Sequence, residues 1–99
     1  MYVGTAEFDL LLGDVHSLKE KRSLVRPIVA ELRRRFDVAA AEVGRADLHR
    51  RAGIGVSVVA VDGAHCRDVL DECERFVAGR PEVELLSAHR RLFGPNDED

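Results

Sequence analysis

The sequence contains no apolar run of about 18 residues, which is the length that a membrane-spanning helix needs. Its N-terminus also lacks a basic segment leading into an apolar stretch with a small-residue cleavage site, the pattern of a secretory signal. Low-complexity stretches are absent, apart from the acidic residues at the C-terminus. These absences predict a cytoplasmic protein with no membrane partner.

Cysteine is scarce, and histidine is scattered. Cys66 and Cys73 lie seven residues apart in a predicted helix, about 10 Å along its axis, which is too far for a disulfide. We expect both thiols to be reduced and packed in the core. The four histidines show no H-x-x-x-H or Cys-His ligand spacing. The sequence therefore predicts no metal site, no cofactor and no redox pair.

Charge is unevenly distributed along the 99 residues. The formal net charge is −3, but residues 16–51 carry ten basic and five acidic side chains, whereas residues 52–99 carry five basic and ten acidic ones. Such asymmetry is typical either of a segment that meets an anionic partner or of two solvated helix faces.

Hydrophobic periodicity predicts the first half of the fold. Residues 2–12 alternate as a strand. Ser17 followed three residues later by Glu20 is a capping-box signature that begins a helix. Proline removes one helical hydrogen bond and clashes with the preceding turn, so Pro27 should kink or divide this helix. We expect a kink, with the apolar stripe continuing across it. Lys21 falls among the apolar residues of the helix, and its ammonium group is expected to reach solvent.

The second half is predicted with the same reasoning. The expected elements are a short strand over 37–44, a loop with one helical turn over 45–52, a strand over 54–61, a helix capped by Asp62 and a strand over 83–93. The last strand does not alternate cleanly around Leu85 and Leu86, which indicates a bulge or a partly buried second face.

The order β-α-β-β-α-β predicts an α+β, ferredoxin-like sandwich, with a four-stranded antiparallel sheet and both helices on one face. We expect a single domain over residues 1–93 and an acidic disordered tail over 94–99. Val59 and Val61 are predicted to point away from the helices. An apolar outer sheet face usually needs a cover, so we expect self-association, most simply as a homodimer.

The chain also resembles a known family at several places in order. These are His16–Arg22, Ala41–Gly44, Asp47-Leu48 with Arg51-Ala52, Gly55-Val56 and Pro81–Leu86. At these spacings the chain is similar to the YlxP-like family, small bacterial proteins of unknown function. The resemblance implies a ferredoxin-like fold. It also implies genes encoded beside translation and transcription factors, and hence a role in translation. Pro27 and His49 depart from the family pattern, the latter where an aromatic residue is common.

The strongest functional candidate is a basic helix flank with its neighbouring connector. Helical projection places Lys19, Arg22, Arg26 and Arg33 within about 60°. Arg45, Arg50 and Arg51 follow from the connector. Phosphate contacts are one interpretation. The other is a solvated flank whose charges pair with Glu20 and its neighbours. The residues proposed to contact nucleic acid are Lys19, Arg22, Arg26, Arg50 and Arg51.

Other chemistry is weakly supported. The strand over 54–61 has no aromatic residue on which RNA bases can stack, so binding is expected at the phosphate backbone, without DNA or RNA sequence readout. The loop after the first strand has one glycine and Asp14, unlike the glycine-rich phosphate loop of acylphosphatases. A general-acid site would require His16 and Asp14 to meet Glu42. A structural ion pair from Glu42 to Lys21 or an arginine is the alternative.

We therefore predict a non-enzymatic, homodimeric accessory factor of translation, with RNA or the ribosome as its candidate partner. The alternative is a homo-oligomeric module that binds a small ligand or a protein and no nucleic acid.

Overall fold

A computed structural model describes residues 1–95 of the chain. These residues form four strands and two helices in the predicted order. Their bounds are β1 Tyr2–Leu12, α1 Leu18–Phe36, β2 Ala39–Glu42, β3 Arg51–Ala60, α2 Gly63–Ala78 and β4 Val83–Phe93.

The four strands form one antiparallel sheet in the order β2-β3-β1-β4. In both central strands the even-numbered residues are buried except at the strand ends, where Tyr2 and Ala60 are partly buried; Phe8 in β1 and Ile54 in β3 are fully enclosed. They pack with the apolar stripes of α1 and α2 into one core. Both helices therefore cover the same face of the sheet, which confirms the predicted ferredoxin-like α+β fold.

Helix α1 continues through Pro27 as a single helix from Leu18 to Phe36, so it does not divide there, and its apolar stripe continues across the proline as expected. Pro27 itself is exposed, whereas Val25 and Ile28 on either side of it are buried against the sheet. The burial of the apolar stripe on both sides compensates for the one hydrogen bond that proline removes, because tertiary packing provides most helical stability in proteins.

Two predictions about chain geometry differ in detail from the structure. The segment after β2, residues 43–50 (the connector), is a loop as predicted; it holds one hydrogen-bonded turn, in which the Leu48 N–H donates to the Arg45 carbonyl at 3.2 Å, but no helix. Strand β3 begins three residues earlier than predicted, at Arg51. The bulge is confirmed: Asp9 pairs with Ser87 but Leu10 pairs with Leu85, which leaves Leu86 as the extra residue in β4.

The two cysteines are free and fully buried in α2, as predicted. Gly94, at the start of the predicted tail, is half-buried, and a Cβ there would come within 2.7 Å of the Tyr2 ring. Residues 96–99 of that tail lie outside the described residues.

Candidate functional site

The N-terminus of α1 is capped as the sequence predicts. The Ser17 hydroxyl accepts a hydrogen bond from the Glu20 backbone N–H at 3.1 Å, and the Glu20 carboxylate accepts one from the His16 N–H at 3.3 Å. The Glu20 carboxylate is thereby held at the helix end. It forms no ion pair with the basic residues that follow it among the described residues.

Three of the five proposed contact residues form a stripe on α1. Lys19, Arg22 and Arg26 are exposed and follow one another at spacings of three and four residues, which places them on one side of the helix. No ion pair or hydrogen bond joins their side chains to another group within residues 1–95. We call these three residues the basic stripe.

Contacts of neighbouring arginines show where the basic stripe lies. Arg33 shares its side of α1 and donates from Nε to the Ala40 carbonyl at 2.8 Å. This side of α1 therefore runs along β2, the edge strand of the sheet. On the opposite side, the Arg35 guanidinium lies 5.2 Å from the ring centroid of Phe76 in α2. The basic stripe thus faces away from α2 and its acidic residues.

The two proposed contact residues from the connector and β3 lie on different surfaces, and only Arg50 lies near the basic stripe. Arg50 is exposed and donates from Nε to the Gly13 carbonyl at 3.0 Å, near the start of α1. Arg51 points to the other face of the sheet, where its Nη2 lies 2.5 Å from Asp9 Oδ2. Arg45 reaches the same carboxylate at 3.0 Å. The sequence grouped these side chains, but strand alternation separates Arg51 from α1.

Lys21 contradicts the expectation that its ammonium group reaches solvent. Its side chain is 2% exposed, and Nζ donates to the carbonyls of Arg45 at 2.6 Å and Leu48 at 2.9 Å. The Glu42 carboxylate lies 3.1 Å from the same nitrogen. Lys21 therefore fastens the connector to α1. Of the two sequence-based alternatives, Glu42 forms a structural ion pair, and His16 contacts Asp14 at an exposed position.

The sheet face turned away from the helices, here called the outer face, is formed by odd-numbered residues of β1 and β3 and their neighbours. On the outer face the connector passes so close to Gly53 of β3 that an added Cβ would lie 2.0 Å from the Val43 carbonyl oxygen. Only glycine allows this approach. A shallow hollow of about 240 Å³ remains beside it, lined by Asp9, Arg45 and His89 among others. This volume is below the roughly 300–1,000 Å³ of typical small-molecule pockets.

A wider, open hollow of about 740 Å³ lies between β1 and β4 on the outer face. Its lining includes Glu7, His89 and Arg91, all exposed. Within residues 1–95 no group of three or more histidine, cysteine, aspartate or glutamate side chains is placed to hold a metal ion. Neither helix of this part of the chain has the length and apolar character needed to cross a bilayer.

The fold and these surfaces define a small ferredoxin-like α+β protein with a basic stripe on one helix. Comparison with family models then shows that the chain belongs to the family described as "Protein of unknown function (DUF503)", which matches residues 3–90. It is 29% identical over 91 residues to the "Uncharacterized protein YlxP" of Bacillus subtilis (strain 168), covering 92% of this chain and 99% of that protein. The predicted YlxP-like resemblance is confirmed.

One solved structure resembles the fold more distantly. The "Structure of Rv0793 from Mycobacterium tuberculosis" aligns with 96% of this chain and 97% of that chain, with a TM-score of 0.45 and 16% sequence identity. At this level of similarity, no property of that protein extends to the chain.

Proposed function

We propose that this protein is a non-enzymatic accessory factor of translation that binds RNA phosphates through the basic stripe Lys19, Arg22 and Arg26. The observation that supports this proposal is the stripe itself: three exposed cations on one side of α1 with no carboxylate partner among the described residues. The family resemblance implies translation as the cellular setting.

The geometry of the basic stripe suits a phosphate backbone. Its ends, Lys19 and Arg26, lie seven positions apart, so the three side chains emerge along about 10 Å of helix axis. The nearby carboxylates are occupied, since Glu20 accepts from the helix N-terminus and Glu42 pairs with Lys21. A bound phosphate would therefore compete with no acidic side chain that the structure places on these cations.

Several other arginines are held by internal contacts. Arg34 pairs with Glu31, Arg80 with Glu82, and Arg90 with both Asp71 and Glu74. Arg51 is likewise paired with Asp9, so we exclude it from the primary contact. Arg50 keeps most of its donors free and remains a secondary contact at the N-terminal end of the stripe.

The mode of binding follows from the side chains present. The basic stripe contains no aromatic residue on which a base can stack, so the contacts are electrostatic and independent of sequence. Neutralising about three phosphates gives a slope of log K against log salt of about −2 for single strands and about −3 for a duplex.

The test is fluorescence anisotropy with a labelled RNA hairpin over a salt series, followed by sedimentation of the protein with ribosomal subunits. Arg22→Gln/Arg26→Gln should weaken binding and bring the salt slope to about −1. The matched control is Arg67→Gln/Arg75→Gln, which removes two exposed arginines of α2 that also form no ion pair within residues 1–95. We expect the control to bind like the wild type.

Three results would overturn the proposal. They are absence of binding at low salt, a salt slope near zero, and equal losses in the two double variants.

A further inference from the structure

We propose that the outer face of the sheet is the docking surface for a second copy of this chain. The first observation is a continuous apolar row across three strands. Val3 of β1 is the register partner of both Val59 in β3 and Phe93 in β4, so the three side chains lie side by side. Val59 is 62% exposed and Phe93 42% exposed. Val61, beyond the end of β3, extends this uncovered surface.

The charges of the outer face favour a second copy over a nucleic acid. Three acidic and three basic side chains are placed on this face by the strand register and their contacts, so its formal charge is zero. They are Glu7, Asp9, Glu84, Arg45, Arg51 and Arg91. Two such faces do not repel one another, whereas two basic stripes would. A neutral face also offers phosphates no net attraction.

The size of the outer face fits an interface between two copies. Three long strands about 4.8 Å apart and about ten residues long, with the short β2 beside them, give roughly 500 Å² in flat projection. Side-chain relief increases the accessible area of such a surface, and a stable interface buries about 800 Å² per partner. The outer face is thus close to the area that a two-fold dimer requires.

The row pattern also selects the orientation of the two copies. A two-fold axis parallel to the strands keeps each cross-strand row opposite the same row of the second copy, so Val59 of one copy meets Val3 of the other. An axis across the strands would instead place Val59 over Arg51 and bring the two Glu7 side chains together. Apolar burial and charge both favour the parallel axis.

Sedimentation equilibrium at micromolar concentration tests the proposal directly, and a dimer mass is expected. Val59→Lys places a charge in the apolar row of both copies and should weaken association about a hundredfold, which corresponds to about 2.8 kcal/mol, because the apolar contact of Val59 is lost in each copy. The matched control is Leu48→Lys, since Leu48 is an exposed apolar residue of the connector, away from the row. We expect this control to remain dimeric.

Cross-linking provides a second readout that does not depend on affinity. Val59→Cys should form a covalent dimer with a short bis-maleimide, whereas Leu48→Cys and the wild type should not. The native Cys66 and Cys73 are fully buried and serve as an unreactive background. Circular dichroism and the urea midpoint check that the variants remain folded.

A wild-type mass of one chain would refute the proposal. So would a folded Val59→Lys variant that dimerises like the wild type, or a Val59→Cys variant that is not cross-linked. Dimerisation that Val59→Lys leaves unchanged would indicate pairing at a sheet edge instead of the outer face. None of these outcomes depends on RNA binding by the basic stripe.

Discussion

Replacing Lys21 with methionine removes the cation that fastens the connector to α1. The Lys21 ammonium contacts two connector carbonyls at 2.6 and 2.9 Å and the Glu42 carboxylate at 3.1 Å. Methionine has a similar length and keeps the apolar stem packed in the core. The variant therefore isolates the contribution of the charge and its hydrogen bonds.

The expected loss follows from what the substitution leaves behind. Breaking a buried ion pair by removing one partner costs about 3–5 kcal/mol. Glu42 is 32% exposed, and the connector residues are mostly exposed, so water can reach part of the abandoned groups. We therefore place the loss of unfolding free energy near the lower end, at about 3 kcal/mol. For a domain of this size the melting temperature should fall by about 12–24 °C.

Urea denaturation followed by circular dichroism measures this loss through the midpoint and slope of the transition. Lys19→Met is the control, because Lys19 lies two residues earlier in the same helix but is exposed. It should change stability by less than about 0.5 kcal/mol. A loss below about 1 kcal/mol for Lys21→Met, or a loss equal to that of the control, would refute the structural role of Lys21.

Three further predictions concern the glycine crossing, the buried thiol and the outer-face carboxylate. Gly53→Ala should lower the unfolding free energy by at least about 2 kcal/mol, because its Cβ would collide with the Val43 carbonyl, whereas Gly13→Ala should be nearly neutral in the same urea assay. Burial, helped by the charge of a neighbouring glutamate, raises the pKa of Cys73 to about 11, so the protonated thiol stabilises the fold below about pH 9. This stabilisation, of order 2 kcal/mol, should be lost as the pH rises from about 9 to 11. Over the same pH range the urea midpoint of Cys73→Ala should fall less steeply than that of the wild type, and parallel curves would contradict the role of Cys73. Asp9→Asn should cost about 1–2 kcal/mol and speed amide hydrogen exchange in the connector, because both arginines paired to Asp9 lose a charged acceptor; unchanged exchange would contradict that role.

Several parts of the fold were predictable because they depend on residues close together in the chain. The Ser17 cap is an interaction over three residues, and the Asp62 cap of α2 is another, so each appears as a short sequence pattern. The alternation of β1 and the apolar arcs of both helices predict which residues of these elements are buried. Together with the element order, they were sufficient for the ferredoxin-like topology.

Pro27 shows the limit of a local rule, which allows either a kink or a division of α1. The rule considers the lost hydrogen bond and the clash within α1, but it does not include the sheet against which the helix packs. Val25, Ile28 and their apolar neighbours are buried on both sides of the proline, so the helix remains one element. A local cost was outweighed by packing that involves distant strands.

The grouping of the candidate contact residues was only partly predictable. Helical spacing correctly placed Lys19, Arg22 and Arg26 on one side of α1. Arg51 directly follows Arg50 in the sequence, which suggested that both lie beside the basic stripe. Its position in β3 instead turns Arg51 to the outer face, where it pairs with Asp9. Successive side chains of a strand point to opposite faces of the sheet. The direction of the Arg51 side chain could therefore be assigned only once the start of β3 was known.

The sequence by itself determined the elements, their caps and the exposed basic stripe, since these depend on contacts within three or four residues. Only the tertiary structure decided that Lys21 is buried, because its partners lie 21, 24 and 27 residues further along the chain. It also decided that the outer face is neutral, since Asp9 meets Arg45 and Arg51 across 36 and 42 residues. Such pairs depend on strand register and on the path of the connector, which no local spacing records.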